Sequence, residues 1–361
     1  MTEVITDIEQ ATPAWLTGVL QQNGHLQQGR VLQVRRLGTE AGADSTTARL
    51  EVVYSGDTPL RSLPAHLLLK LAARPGFETG DREVAFYQVI APAMQTMLPR
   101  DELPFVRCYA AARAASGETG RSYVLLEDLF ATHYGTDPAL PPLRWQGEQI
   151  MDALAGLHAF WWEHPRLGKD IGSSYTAESI QSLLAAAQIN LGAFRDFVGD
   201  RVPPARQKVF EKICSDWPPF RARRLIEGKG ITVVVRDAHA GNFLFPSDPA
   251  SDRVRITNWH YWRLDTGTDD LAYMMAAHWF PERRARLEKR LLERYCGALS
   301  LNGVEDYDFD TCWTDYRASI IRVLLCLVGG WRAGRAPSIW WDRVERAMLA
   351  FEDLGCRELL P

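Results

Sequence analysis

The stretch ITVVVRDAHAGNFLF, residues 231–245, delivers an aspartate directly after a run of β-branched residues and an asparagine shortly beyond it. Asp237 and Asn242 stand as D-x-x-x-x-N. This is the spacing of a phosphoryl-transfer catalytic loop, in which the carboxylate accepts a hydroxyl proton and the amide oxygen holds a magnesium ion. FLF (243–245) and RVRIT (253–257) flank a PSDPASD turn and are expected to pair as a hairpin that ends at Asn258. In an antiparallel hairpin the residue before the first strand lies beside the residue after the second, so Asn242 and Asn258 are expected to meet near Asp237. Such oxygen donors suit Mg2+, which needs only one or two protein ligands when waters and nucleotide phosphates complete its shell.

Each residue also has a structural reading. Asp237 suits a turn or cap, Asn242 an Asx-turn and Asn258 a strand end. Asp237-Ala238-His239 forms the D-x-H pair of some metal hydrolases, but the other histidines supply no H-x-H or H-x-x-x-H partner. His158 in GLHAFWW reads as a packed core histidine. The tryptophans are mostly core by default, some of them able to line an apolar acceptor pocket.

The elements that must position these side chains follow from periodicity. ITVVVR (231–236) reads as a buried strand. Thr12-Pro13 opens a short helix that stops near Asn23-Gly24. VLQVRRL (31–37) and TARLEVVY (47–54) alternate around the loop GTEAGADS (38–45), and LPAHLLLKL (63–71) is a third strand. GDREVAFYQVIAPAM (80–94) has helical spacing, with Phe86, Val89 and Ile90 on one face. RSYVLLEDLF (121–130) is a further strand. Beyond it the texture changes to long amphipathic segments at 144–163, 176–198, 282–299, 308–331 and 338–354, the first with Ile150, Leu154, Leu157 and Trp161 on one stripe. The expected class is α+β, with a strand-rich N-lobe over residues 1–130 and a mostly helical C-lobe over 131–361.

Composition narrows the partners. The 361 residues are 46% hydrophobic and 24% charged with a net charge of -4, which offers no electrostatic footprint for nucleic acid or an anionic membrane. IIRVLLCLVGGW, from Ile320, is broken by Arg322 and falls short of the roughly 20 apolar residues of a membrane span. The N-terminus lacks a basic start and apolar core, so a cytoplasmic location is expected. Six scattered cysteines without a C-x-x-C pair fit reduced thiols. Nothing in the pattern speaks to oligomeric state.

The motifs LLLK, DREVAFY, VLLEDL, RDAHAGNFLF and TNWHYWRLDTGTDDLAYMM occur in this order across about residues 30–280. In them the chain resembles the aminoglycoside phosphotransferase and choline kinase superfamily, especially its ecdysteroid-kinase-like branch. The resemblance implies a bilobal protein-kinase-like fold and an ATP- and Mg2+-dependent kinase that phosphorylates a hydroxyl of a small molecule. It makes Asp237 the catalytic base, Asn242 a magnesium ligand, Lys70 the α/β-phosphate contact and Glu83 its ion-pair partner. It also has backbone groups of Glu127 to Leu129 hold the adenine. The paired role of Lys70 and Glu83 makes sense from the residues too, since a strand lysine aimed at phosphates can be fixed by a glutamate on the next helix. The loop at 38–45 is expected to cover the phosphates, although it is not a full G-x-G-x-x-G.

Two departures stand out. Val235-Arg236 replaces the family's His-Gly before the catalytic Asp. Asn258 stands where the family has a metal-binding Asp, losing a full charge beside a divalent ion. Asp265, Asp269 and Asp270 are the acids near enough in sequence to compensate, Asp270 being better suited to a cap or structural partner at the DLA helix. Asn258 therefore leaves open an alternative, a pseudokinase that binds nucleotide or ligand without phosphoryl transfer. For an active enzyme, the C-lobe tryptophans and the lack of strong acidity favour an uncharged or apolar alcohol over a polycationic aminoglycoside.

Overall fold

The computed structural model describes residues 4–42, 45–56, 63–72, 79–114, 121–250 and 252–361. In chain order its main elements are α1 (Pro13–Gln22), β1 (Val31–Ala41), β2 (Ser45–Tyr54), β3 (His66–Ala72), α2 (Thr79–Ala85), α3 (Ala91–Met97), β4 (Cys108–Arg113), β5 (Ser122–Glu127) and β6 (His133–Tyr134). Then follow α4 (Arg144–Phe160), α5 (Ala177–Val198), α6 (Pro204–Ser215), α7 (Pro219–Glu227), β7 (Ile231–Val234), β8 (Phe243–Pro246), β9 (Arg255–Ile256) and β10 (Arg263–Thr266). The chain closes with α8 (Thr268–Ala272), α9 (Pro281–Leu301), α10 (Phe309–Arg332) and α11 (Pro337–Asp353). Two compact units result: Met1–Tyr134 with Leu244–Trp262, and Gly135–Phe243 with Arg263–Pro361.

The first unit is built on a five-stranded antiparallel sheet in the order β1-β2-β3-β5-β4. Leu67, Leu69 and Leu71 of β3 alternate onto one face and join Ala48, Leu50 and Leu125 in the core. Lys70 is out of phase with them, so the pleat turns it to the opposite face, paired in register with Thr47 and Val124. The helix expected at 80–94 is observed as α2, a π-turn at Phe86–Ile90 and α3. Pro92, in the first turn of α3, has no N–H to donate, and the helical ladder changes register just ahead of it. β8 lies between β6 and β9 in a three-stranded sheet, so FLF and the strand of RVRIT are neighbours as the turn chemistry predicts.

The loop read at 38–45 is shorter than expected. β1 continues to Ala41 and β2 begins at Ser45, with Glu40 opposite Thr47 and Thr39 opposite Ala48. Most of these residues are polar and solvent-facing, so the strands carry no apolar alternation there to announce them. Residues 43 and 44 lie outside the described residues.

The second unit is mostly helical, with a short antiparallel pair, β7 and β10, registered Val234 to Arg263 and Ile231 to Thr266. Ile150, Leu154, Leu157 and Trp161 of the predicted stripe are fully buried. The sequence pattern misses α6 and α7. α7 buries Leu225 and Arg221, so much of its inward face is charged and leaves no apolar stripe to read. Arg221, 1% exposed, donates to Asp265 and Asp269 at 2.7 Å each and to the hydroxyls of Thr266 and Ser319 at 3.1 Å. Arg322 of α10, the charge that interrupts the apolar run from Ile320, also pairs with Asp269. Among the described residues no helix is long and apolar enough to cross a membrane.

Removing one partner of a buried ion network leaves carboxylates uncompensated, whereas an exposed pair contributes little. Arg221→Ala is expected to cost about 3–5 kcal/mol in denaturant unfolding. Arg223→Ala, which loses only an exposed i,i+4 pair with Glu227, should cost no more than about 0.5 kcal/mol. Equal losses for the two variants would contradict this account of the second unit.

Candidate active site

In the second unit, β7 ends at Val234 and the chain turns sharply. Arg236 has φ 68°, the left-handed region that costs a side chain with a Cβ about 1 kcal/mol or more. It occupies the position where the family motif has glycine, which explains how an arginine can stand there only under constraint. The constraint is Asp270: its carboxylate accepts the N–H groups of Val235 at 2.8 Å and Arg236 at 2.6 Å. His158 Nε2 donates to the same carboxylate at 3.2 Å, and its Nδ1 meets the Tyr295 hydroxyl at 2.8 Å. Gly267, just ahead of α8, permits this close packing, because a Cβ there would collide with Tyr295 and His158. Asp270 is thus a structural partner, and His158 a core histidine with a specific task.

Asp237 follows immediately. The Asn242 amide donates to its carbonyl at 2.7 Å and to its carboxylate at 3.2 Å, which ties the two ends of the D-x-x-x-x-N loop. His239 Nε2 lies 3.6 Å from the same carboxylate. Burial opposes ionisation of Asp237, but His239 and, to a lesser degree, His278 and Tyr273 outweigh it and hold the carboxyl below the usual carboxylate range. An ionised carboxylate of this kind can orient a hydroxyl and accept its proton as transfer proceeds. Behind it the Arg236 guanidinium donates to Cys326 Sγ at 2.7 Å, and burial pushes that guanidinium down to about 10.

In the first unit, Lys70 and Glu83 are both buried, with Lys70 Nζ 3.0 Å from Oε1 and 2.9 Å from Oε2 of Glu83. Lys70 also donates to Asn258 Oδ1 at 2.6 Å. His260 Nε2 contacts Glu83 at 2.7 Å, and the Trp259 N–H donates to Glu83 at 3.3 Å. The Trp259 indole stacks on Phe86 at 3.6 Å, and the Trp262 indole donates to the Arg82 carbonyl at 2.7 Å. One helix therefore grips the whole 259–262 segment. Asn258 adopts φ 61°, which asparagine tolerates better than most residues.

Asn242 thus belongs to the unit of Asp237, and Asn258 to the unit of Lys70 and Glu83. Glu127 and Leu129 line a pocket of about 320 Å³ in the first unit, with Arg100, Arg107 and Arg255 on its walls. Glu127 is paired there with Arg100 at 2.5 Å, and the Leu129 carbonyl accepts from Thr132 and His133. Sequence reasoning missed His260, which contacts Glu83, and Tyr273, which neighbours Asp237. Nothing in their spacing marks them, because each reaches its partner through tertiary packing. A weak signal existed for His260, which sits two residues past Asn258 in a segment already singled out.

The fold is shared with solved structures of known class. A structure assigned as an aminoglycoside phosphotransferase from Ralstonia eutropha JMP134 is 18% identical, with 96% of this chain and 98% of that one covered and a TM-score of 0.57. Choline kinase from Cryptosporidium parvum Iowa II is 10% identical over 90% and 89% of the two chains, with a TM-score of 0.53. The GDP complex of wild-type aminoglycoside 2'-phosphotransferase-IIIa is 13% identical over 97% and 100%, with a TM-score of 0.52. The α+β class and kinase-like architecture expected above are those of these proteins. No curated protein sequence matches the chain. The chain belongs to the ecdysteroid kinase-like family, whose sequence model matches residues 74–303.

Glu83 supplies a pH signature. Burial raises its pKa, yet Lys70 and His260 overcome that and bring it from 4.5 to about 2. A depressed folded-state value contributes stability that is complete above about pH 5 and is lost as pH falls toward 2, worth about 3 kcal/mol at neutrality. The parent should therefore exceed Glu83→Gln in unfolding free energy by about that much at pH 7, with a gap that shrinks steadily down to pH 3. A gap that does not change with pH would show that Glu83 is not ionised against its partners.

Proposed function

We propose that this protein is an ATP- and Mg2+-dependent phosphotransferase acting on a hydroxyl group of a small molecule. The observation that carries the reading is Asp237 tied to Asn242 on a loop whose strained entry is clamped by Asp270. Membership in a kinase-like family supports it. Asp237 would orient the acceptor hydroxyl and take its proton as the oxygen bonds to the γ-phosphorus. The bond from that phosphorus to the β-phosphate oxygen breaks, and ADP leaves. Lys70, steered by Glu83, would contact the α- and β-phosphates, and backbone groups from Glu127 to Leu129 the adenine.

Asn242 and Asn258 would each offer one amide oxygen to magnesium. Among the described residues no cluster of three or more His, Cys, Asp or Glu side chains could hold a metal. Such a neutral donor set fits an ion that arrives with nucleotide phosphates, where it supplies charge neutralisation. The partner is then a dissolved hydroxylated compound in the cytoplasm, with neither nucleic acid nor membrane involved.

One observation favours a second reading. Asn258 Oδ1 already accepts from the Lys70 ammonium at 2.6 Å, an unfavourable neighbour for a divalent cation on the same oxygen. A pseudokinase that binds nucleotide without transfer would keep this contact. ADP release across a panel of hydroxylated compounds separates the readings. Wild type is expected to turn over at least one compound, and Asp237→Ala to lose about 10²-fold or more. Asn258→Asp should lower the magnesium concentration needed for half-maximal rate. Turnover by Asn258→Asp alone would establish the binding-only reading for the natural chain, and activity without ATP would point to a hydrolase.

A further inference from the structure

We infer that Cys326 is a positioning residue for the proposed base, its sulfur holding the Arg236 side chain and through it the turn that presents Asp237. The inference rests on the phosphotransferase reading, and every residue in it belongs to the second unit.

The geometry of the turn calls for a second anchor. Arg236 has φ 68°, and a residue with a Cβ returns from the left-handed region to negative φ unless its contacts prevent it. Asp270 holds the backbone through the N–H groups of Val235 and Arg236. The side chain is held elsewhere: its guanidinium donates to Cys326 Sγ at 2.7 Å, and among the described residues it forms no ion pair with a carboxylate. Asp237 is the next residue, so rotation about φ at Arg236 redirects its carboxylate.

The sulfur is itself fixed. Cys326 lies one turn beyond Arg322 on α10, and Arg322 Nη1 donates to Sγ at 3.0 Å while its Nε pairs with Asp269. Asp269 precedes Asp270 on α8, so the two arms of the clamp start from neighbouring residues. Asp270 reaches the backbone of Arg236, and Asp269 reaches its guanidinium through Arg322 and Cys326. A neutral thiol is a weak acceptor. Here burial pushes the thiol up, but Arg236, Arg322 and Arg263 outweigh burial and bring it below its usual range, which favours the thiolate. Hydrogen bonds to an ionised acceptor are roughly twice as strong as neutral ones, so this sulfur can hold a strained turn as a neutral thiol could not.

Two other roles make different predictions. A cysteine that only packs α10 acts independently of Arg236. A guanidinium that serves the transferring phosphates directly is needed whatever the conformation of the turn.

The test is a double-mutant cycle on the full-length chain, with ADP release giving kcat and KM. Cys326→Ala and Arg236→Met should each lower kcat by about tenfold with KM for ATP unchanged, and the double variant should be no slower than either. Arg236→Gly should be faster than Arg236→Met, because glycine adopts this φ without strain and needs no anchor. Losses that multiply to about a hundredfold in the double variant overturn the inference. So does an unchanged kcat in Cys326→Ala, or an Arg236→Gly as slow as Arg236→Met. Should Cys326→Ala fail to fold, the comparison of Arg236→Met with Arg236→Gly decides in the same way. If wild type turns over no acceptor, the phosphotransferase reading fails separately, and amide hydrogen exchange over residues 235–242 decides the anchor. Exchange about tenfold faster in each single variant and no faster in the double supports it, and unchanged exchange refutes it.

Discussion

A carboxylate taken out of water must be met by cations or N–H donors, and in each unit this constraint places the candidate site residues. Glu83 cannot be buried without Lys70 and His260, so its burial fixes the strand lysine and draws in the Trp259 backbone. Asp270 cannot be buried without the N–H groups of Val235 and Arg236, so its burial fixes the turn that aims Asp237. Neither acid performs the chemistry. Each places the residue that would.

The second unit adds a further pair of buried acids, Asp265 and Asp269, neutralised by Arg221 and Arg322. They lie on either side of Thr266 and Thr268, at the join between β10 and α8, and so anchor the start of the helix that carries Asp270. The left-handed backbone at Arg236 and Asn258 is the visible cost of this positioning. In both places a hydrogen-bonded side chain, Asp270 in one case and Asn258 itself through Lys70 in the other, holds the chain where local preference alone would not.

Much of this was legible in the chain because it is local. The alternation of LLLK puts Lys70 on the face opposite Leu67 and Leu69, the β-branched run ends at Asp237, and the PSDPASD turn brings β8 beside β9. What was not legible depends on residues far apart in sequence. His260 and the Trp259 backbone reach Glu83 through packing that no spacing encodes. α7 was hidden because an arginine occupies its inward face, and the outer turns of β1 and β2 because both are polar. Arg236, next to the proposed base Asp237, departs from the family's loop motif. It is a tolerated substitution at a glycine-like conformation, paid for by Asp270.

The central claim is that Asp237 serves transfer and not nucleotide binding. It is tested most directly by 31P NMR of the protein with ATP, magnesium and an accepted hydroxyl compound, comparing wild type with Asp237→Asn. The account predicts a growing phosphoester resonance with wild type and none above background with the variant, while both bind ATP with similar affinity. Equal phosphoester formation by the two proteins, or ATP binding without any phosphoester from wild type on acceptors that bind, would contradict it.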